Sequence, residues 1–339
     1  MKKTTLKEIA ETLGISISTV SKALKNYPDV SAKTKKKVID LAESLQFTPN
    51  TFAQSLRSNE SKTIGVIIPS MVHYYFSSIL DAIIKESEKN GYMVIILQSN
   101  EDHELEKKQI NLLLNKGVDG ILISLANGTK DFQYLQRVID YGIPLVLFDK
   151  INKLLKCSKV IINDIKASYD VVSYLINKGY KRIAYFRGDL NPQNSIDRFL
   201  GYKKALEDNE IKYDSSLVYS SPIANFDEGY TNAKKLIEED KIDVDAIYTI
   251  TDLTAIGVIN YLNEKNIKIP DEIAVFGFSN WFMSSVITPT LSSVEQNAYT
   301  TGEKSVELLF KEIDSKQKGE PFKHETITID TELVIRNST

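Results

Sequence analysis

The stretch TLKEIAETLGISISTVSKALKN, residues 5–26, decides how the amino-terminal end of this chain folds. Thr5-Leu6-Lys7-Glu8 has the spacing of a capping box, in which the Thr5 hydroxyl accepts from the Glu8 amide while the Glu8 carboxylate reaches back. Leu6, Ile9, Ala10 and Leu13 then share one helical face. Gly14 stops that helix, because glycine turns the chain sharply without strain. Ser16 caps a second helix from 17 to about 24, with Val20 and Leu24 inward. After the turn Asn26-Tyr27-Pro28-Asp29, Ser31 caps a third helix whose inner face is Val38, Leu41 and Leu45. Helix, tight glycine turn, helix is a helix-turn-helix.

Charge supports a special role for this end. Residues 1–62 hold 11 Lys+Arg against 6 Asp+Glu, a balance of +5, on a body whose balance is −8. The footprint for a polyanion is therefore confined to one end. The outward face of the second helix carries Ile17, Ser18, Ser21 and Lys22. Small hydroxyls allow close approach to base edges and phosphates, and a lysine reaches the O6/N7 edge of guanine.

Extended to residue 58, the segment LKEIAETLGISISTVSKALKNYPDVSAKTKKKVIDLAESLQFTPNTFAQSLRS resembles the headpiece of the LacI/GalR family of bacterial transcription regulators. The likeness rests on the IA–LGIS–STVSKALKN turn and recognition helix, on TKKKV, and on PN–A–SLR, about 50 residues in all. It implies DNA contacts from Thr5, Ser16, Ile17, Ser18, Thr19, Ser21, Lys22 and Asn26. It also implies a hinge helix over 50–57 that enters the minor groove, where Asn50, Ala53, Leu56 and Arg57 face DNA and Leu56 wedges the central base step. Unstacking a step costs a few kcal/mol, offset by contacts with the bent duplex.

From residue 63 onward, apolar runs at 64–69, 93–97, 120–124, 144–148, 160–162, 183–186, 246–250 and 273–276 alternate with amphipathic stretches. Runs rich in Ile and Val on both faces imply parallel sheets covered on each side by helices. The phrase helix–Gly–strand recurs as EKNGYMVII, LNKGVDGILI and INKGYKRIAYF, as repeated βα units require. The expected fold is α/β: a helix-turn-helix headpiece (1–48), a hinge and linker (49–62), and a two-lobed, periplasmic-binding-protein-like core of doubly wound parallel sheets (63–339). By the family resemblance, the first lobe takes 63–162 and 293–323, and the second takes 163–292 and 324–339.

Several functions are excluded or disfavoured. The chain has no G-x-G-x-x-G after a strand, no G-x-x-x-x-G-K-[ST], no G-x-S-x-G and no H-E-x-x-H, so no enzyme activity or cofactor is expected. One cysteine, Cys157, and three histidines at no ligand spacing leave no expected metal site. The amino terminus lacks the apolar run of a signal peptide, and no stretch approaches the roughly 18 apolar residues of a membrane span. A cytoplasmic, nucleoid-associated protein is expected.

Ligands of open α/β sheets bind just past the carboxyl ends of strands. Candidates there are Ser70, Tyr75 and Phe76 after the first run, and Asp149, with Lys150 beside it, after the fourth. The resemblance adds Arg198, in RFLGYKKAL, as the donor to effector hydroxyls, Asp252 in TDLTAIG, and Phe226 as an aromatic lid. Ser279 stands in GFSNW where the family commonly carries Asp. A neutral hydroxyl there bonds more weakly than a carboxylate and is less hostile to an anion. Pro192 occupies the position of the purine-selecting arginine, which argues against a purine ligand.

The reading is a homodimeric repressor that binds a palindromic operator and is controlled by a small sugar-like effector between the lobes. Alternatives are the same DNA-binding type controlled by a protein partner, or a sugar-binding protein without a DNA role. The DNA reading has a direct test. Leu56→Ala should weaken operator binding more than non-specific binding, and Lys22→Ala should relax half-site preference by about 1–3 kcal/mol. Equal losses on operator and scrambled DNA would refute both roles.

Overall fold

The computed structural model describes residues 5–47, 60–72 and 74–339. The chain divides at Ser61 into two compact units.

In the first unit, α1 (Leu6–Leu13), α2 (Ile17–Leu24) and α3 (Ala32–Ser44) follow the capping signals closely. The Glu8 amide donates to Thr5 Oγ1 at 3.3 Å and the Thr5 amide donates to Glu8 Oε2 at 2.9 Å, completing the capping box. Gly14 ends α1 at φ 63°, a left-handed conformation that costs glycine nothing. Ser16 accepts from the Thr19 amide at 3.1 Å, and Ser31 from the Thr34 amide at 3.2 Å. Ile9, Ala10, Val20, Ala23, Val30, Val38 and Ala42 form the core of this unit. Leu45 does not join it. The helix has ended at Ser44, so Leu45 leaves the inner face, stays 40% exposed, and Ala42 takes the inward position.

The second unit holds two parallel sheets. The first has β1 (Thr63–Ile68), β2 (Met93–Gln98), β3 (Gly120–Ile123), β4 (Leu145–Phe148), β5 (Ser158–Ile162) and β11 (Thr326–Ile329) in the order β11-β5-β4-β3-β1-β2. The second has β6 (Ile183–Arg187), β7 (Val218–Ser220), β8 (Ala246–Thr249) and β9 (Ala274–Phe276) in the order β7-β6-β8-β9. Between the first-sheet strands run α4 (Tyr74–Lys89), α5 (His103–Lys116) and α6 (Gln133–Asp140). The second lobe carries α7 (Asp164–Asn177), α8 (Gln193–Asp208), α9 (Phe226–Lys234) and α10 (Asp252–Glu264), and α11 (Ala298–Lys318) returns to pack on α4. Alternate residues of β1 serve opposite cores: Ile64, Val66 and Ile68 face one and Ile67 the other. That two-sided burial is why the apolar runs show no alternation.

The carboxyl-terminal segment departs from expectation. Thr326–Ile329 was expected in the second lobe, yet it pairs in parallel with β5 and so extends the first sheet. The chain leaves α11 on the first lobe, and the otherwise open edge of β5 offers the nearest unpaired backbone groups. Next, β12 (Glu332–Val334) pairs antiparallel with β10 (Ser293–Glu295) at the crossing between lobes. Only the last residues reach the second sheet, where the Val275 amide donates to the Ser338 carbonyl at 2.9 Å.

Two glycines set the closest helix crossing. A Cβ at Gly257 would lie 2.1 Å from the Phe226 carbonyl oxygen, and one at Gly229 would lie 2.1 Å from that of Thr254. Backbone therefore touches backbone between α9 and α10, and neither side can yield by rotating a side chain. Gly257→Ala should destabilise the body by about 1–3 kcal/mol, the usual cost of overpacking. Calorimetry of the full chain checks this; an unchanged melting temperature would show that the two helices separate freely.

Candidate functional site

Two sites follow from the sequence, one on each unit. On the headpiece, α2 presents Ile17, 48% exposed, with Ser18 and Lys22 also exposed and Ser21 half-buried. Ser16 Oγ lies 2.7 Å from Ser18 Oγ and 2.8 Å from Thr19 Oγ1, so three hydroxyls gather at the start of the helix. Thr5 is occupied as a cap. Asn26 turns the chain at φ 56° beyond the end of α2. Lys22 forms an ion pair with Asp29, which raises the lysine's pKa and lowers the carboxylate's. Both side chains are about half exposed, so this pair yields readily to a phosphate or a base edge. Asn50, Ala53, Leu56 and Arg57 lie outside the described residues.

In the body, strand ends of both lobes converge on one buried polar cluster. Arg198, on α8, is only 4% exposed. Its Nε donates to Asp164 Oδ1 at 2.7 Å, Nη1 to the Ile250 carbonyl at 2.9 Å and Nη2 to Gln296 Oε1 at 3.4 Å. The guanidinium also covers the Phe278 ring at 3.6 Å. Gln296 in turn donates to Ser279 Oγ at 2.8 Å. Across the cleft, Asp149 accepts from Ser124 Oγ at 3.2 Å and from Asn194 Nδ2, on α8, at 3.3 Å. Tyr75 is buried beside them, its ring 5.5 Å from that of Phe76, and burial together with Asp149 and Asp164 pushes its phenol far up. Burial also raises Asp149, against the pull of Lys150 and Arg198. Burial pushes Asp164 up to about 6 even with Arg198 at its side.

Tyr75, Asp149, Arg198 and Ser279 are thus brought together as the sequence suggested. Ser70 is half-buried just past β1, and Phe76 lies in the core behind Tyr75. Two expected residues stand apart from the cluster. Asp252 is 1% exposed and accepts from the Trp281 amide at 2.6 Å, from Ser284 Oγ at 2.8 Å and from Ser293 Oγ. Its oxygens are spent on fixing the 277–284 loop, so it is not a ligand group. Phe226 opens α9, half-buried, and no described contact joins it to the cluster.

Sequence reasoning missed Asp164, Gln296, Asn194 and Phe278. Asp164 was within reach, since it sits two residues past β5 and the strand-end rule applies there too. Gln296 follows β10, a three-residue strand with no apolar run to announce it.

Beside the cluster lies a cavity of about 280 Å³, formed by segments 125–132 and 150–152 of the first lobe and 191–193 of the second. None of the eight expected effector residues lines it. Asn127 Nδ2 donates across the lobes to the Pro222 carbonyl at 3.2 Å, and Lys153 pairs with Asp197 at 2.9 Å. Among the described residues, no cluster of His, Cys, Asp and Glu is suited to a metal, and no helix is long and apolar enough to cross a membrane. Cys157 is buried, its thiol pushed up to about 11 by burial.

Comparison with known proteins matches residues 5–50 to the bacterial regulatory proteins of the lacI family, and residues 61–336 to the periplasmic binding proteins and sugar binding domain of the same family. The chain belongs to the LacI family. It is 32% identical over 337 residues, 99% of each chain, to the HTH-type transcriptional regulator RegA of Clostridium saccharobutylicum. It is 30% identical to catabolite control protein A of Priestia megaterium, covering 91% of this chain and 92% of that one. The crystal structure of the lac repressor dimer bound to operator and an anti-inducer superposes with a TM-score of 0.87 at 25% identity, covering 99% of both chains. This LacI-family chain is therefore a DNA-binding transcriptional regulator, with a helix-turn-helix on a periplasmic-binding-protein-like core.

The raised carboxyl of Asp164 gives this family member a signature. Its pKa moves from 3.8 to about 6, so the folded protein holds a proton that the unfolded chain has already released. That contribution to stability is complete below pH about 4 and lost as pH rises through about 6, the reverse of an ordinary salt-bridged aspartate. Denaturant unfolding of wild type and Asp164→Asn should show the steeper decline in the wild type, since Asp149 and the other buried carboxyls raised by burial remain in both; parallel pH profiles would refute it.

Proposed function

We propose that this regulator represses transcription by binding a palindromic operator as a homodimer, and that a small polyhydroxylated effector between the lobes controls that binding. The observation that carries the effector reading is the polar bridge from Asp149 on the first lobe through Asn194 to the second, beside the buried Arg198–Asp164 pair. A planar guanidinium with fixed donors suits vicinal hydroxyls. A ligand that replaces these interlobe bonds binds one lobe arrangement better than another, which is all that allosteric control requires.

Support for a dimer comes from the surface. Val72 is 89% exposed and Phe282 55%, with Met71 and Tyr74 also exposed and the Tyr74 and Phe282 rings 6.2 Å apart. Exposed apolar side chains gathered in this way suit a protein interface. The lac repressor relative is a dimer on its operator, and two headpieces on one duplex would read two half-sites. Operator binding would place the protein in the bacterial cytoplasm, at the nucleoid.

The test is operator binding by the full chain, on DNA selected from a random pool, in the presence of neutral, acidic and phosphorylated sugars. At least one sugar should change operator affinity. Arg198→Lys should keep the charge beside Asp164 yet blunt the response about tenfold or more, since a hydrogen bond to a charged group contributes about 1.5–3 kcal/mol. No response to any sugar, or an undiminished response in Arg198→Lys, would refute the reading.

A further inference from the structure

We infer that Lys22 and Asp29 act on DNA as one unit, a donor beside an acceptor that reads a single G·C base pair in the half-site, which makes Asp29 a specificity-determining residue. This rests on the DNA-binding role of the headpiece and adds an acidic residue to its basic face. Lys22 lies on the exposed face of α2, one turn beyond Ser18, and Asp29 lies in the turn between α2 and α3. Their ammonium and carboxylate are in direct contact, with 48% and 52% of the two side chains exposed. An exposed pair of this kind contributes little to stability. Toward a polyanion, a carboxylate also works against binding. What the pair adds is a pattern of hydrogen-bonding groups.

That pattern matches the major-groove edge of guanine and cytosine. An ammonium has three N–H donors, and Asp29 takes one of those on Lys22, which leaves two. A carboxylate has about four acceptor sites, and Lys22 fills one. A G·C pair presents two acceptors on guanine, N7 and O6, next to one donor, the N4 amino group of cytosine. Two donors from Lys22 and one acceptor from Asp29 meet those three groups in order, with the ion pair still closed. An A·T pair presents acceptor, donor, acceptor, so one of its acceptors goes unmatched. A phosphate offers acceptors alone. To reach one, Lys22 must leave Asp29, and the carboxylate then faces the duplex without its cation.

The turn holds the acceptor in place before DNA arrives. The Tyr27 amide donates to the Lys22 carbonyl at 3.0 Å and the Asn26 amide to that of Ala23 at 3.1 Å, so the turn folds back on the end of α2. Val30, next to Asp29, is 8% exposed and packs in the headpiece core. Ser31 then caps α3. Lys35 Nζ donates to the Asn26 carbonyl at 3.3 Å and ties α3 to the same turn. Backbone and core thus fix where Asp29 sits. Asp29 in turn limits the rotamers open to the long lysine, which reduces the ordering cost of a base contact. The acidic groups of α1 are engaged elsewhere: Glu8 closes the capping box on Thr5, and Glu11 lies 3.8 Å from Lys7 Nζ.

Binding of the full chain to an operator selected from a random pool, to that operator substituted at each half-site position in turn, and to scrambled DNA tests the proposal. Asp29→Ala should lower the operator-to-scrambled affinity ratio by about fivefold or more, the lower end for one base contact. The loss should fall on one G·C position. Binding to scrambled DNA should tighten, with a salt slope steeper by about 0.9 per headpiece, because the released Lys22 neutralises a further phosphate. Asp29→Asn, which keeps an acceptor oxygen and loses the charge, should restore part of the base preference yet show the same steeper slope. In a Lys22→Ala background, Asp29→Ala should leave the base preference unchanged. If Lys22→Ala lowers the ratio and Asp29→Ala does not, Lys22 acts alone; the proposal is overturned and the DNA reading stands. Equal weakening on every DNA by Asp29→Ala would make Asp29 a structural turn residue and overturn it as well. If no sequence is enriched from the pool, the operator reading falls and the unit with it.

Discussion

The buried pair of Arg198 and Asp164 is the constraint around which the second lobe is built. A guanidinium at this depth must have every nearby polar group working for it, because an unpaired buried charge costs several kcal/mol. Arg198 meets that demand with groups from four places: Asp164 on α7, the Ile250 carbonyl past β8, the Phe278 ring past β9 and Gln296 past β10. Gly201 makes the arrangement possible. A Cβ there would lie 2.2 Å from the Ile165 carbonyl oxygen, so only glycine lets α8 come close enough to α7 for the ion pair to close. The ends of the second-lobe strands are thereby tied to one side chain.

Carboxylates do most of the remaining positioning, and each is used differently. Asp252 spends its oxygens on the 277–284 loop and on β10. Gly277 leaves room for it, since a Cβ at that position would fall 2.3 Å from Asp252 Oδ1. Glu106 performs the same service for the first lobe's cavity wall. Asp149 alone stands half-buried between the lobes, held in the left-handed region at φ 57° and bonded to both sides. A cleft lined by committed carboxylates offers few spare charges.

The headpiece works by other physics. Its three helices are short, and such helices are marginal alone. Each is started by a side-chain cap within three residues, and seven small buried side chains hold them together. The result is a rigid platform that keeps Ile17, Ser18 and Lys22 on the surface. Asp29 pairs with Lys22 while leaving it exchangeable. Rigidity resides in the caps and reach resides in one ion pair.

How much of this was legible depends on the sequence distance over which each interaction acts. The capping box at Thr5 and Glu8, the stop at Gly14 and the caps at Ser16 and Ser31 are interactions over three or four residues, so the linear order contains them in full. The eight apolar runs each became a strand, because an unbroken apolar run leaves its mark within five or six residues. Tertiary structure decided the rest. The pairing of Thr326–Ile329 with β5 joins residues more than 160 positions apart, and no local pattern chooses between two open sheet edges. Asp252 and Arg198 look alike in sequence, as polar residues within family phrases. Only folding shows that one is spent on Trp281, Ser284 and Ser293, while the other ties together Asp164, the Ile250 carbonyl and Gln296. The cavity between 125–132 and 191–193 is likewise a property of two lobes meeting, and neither segment carries it alone.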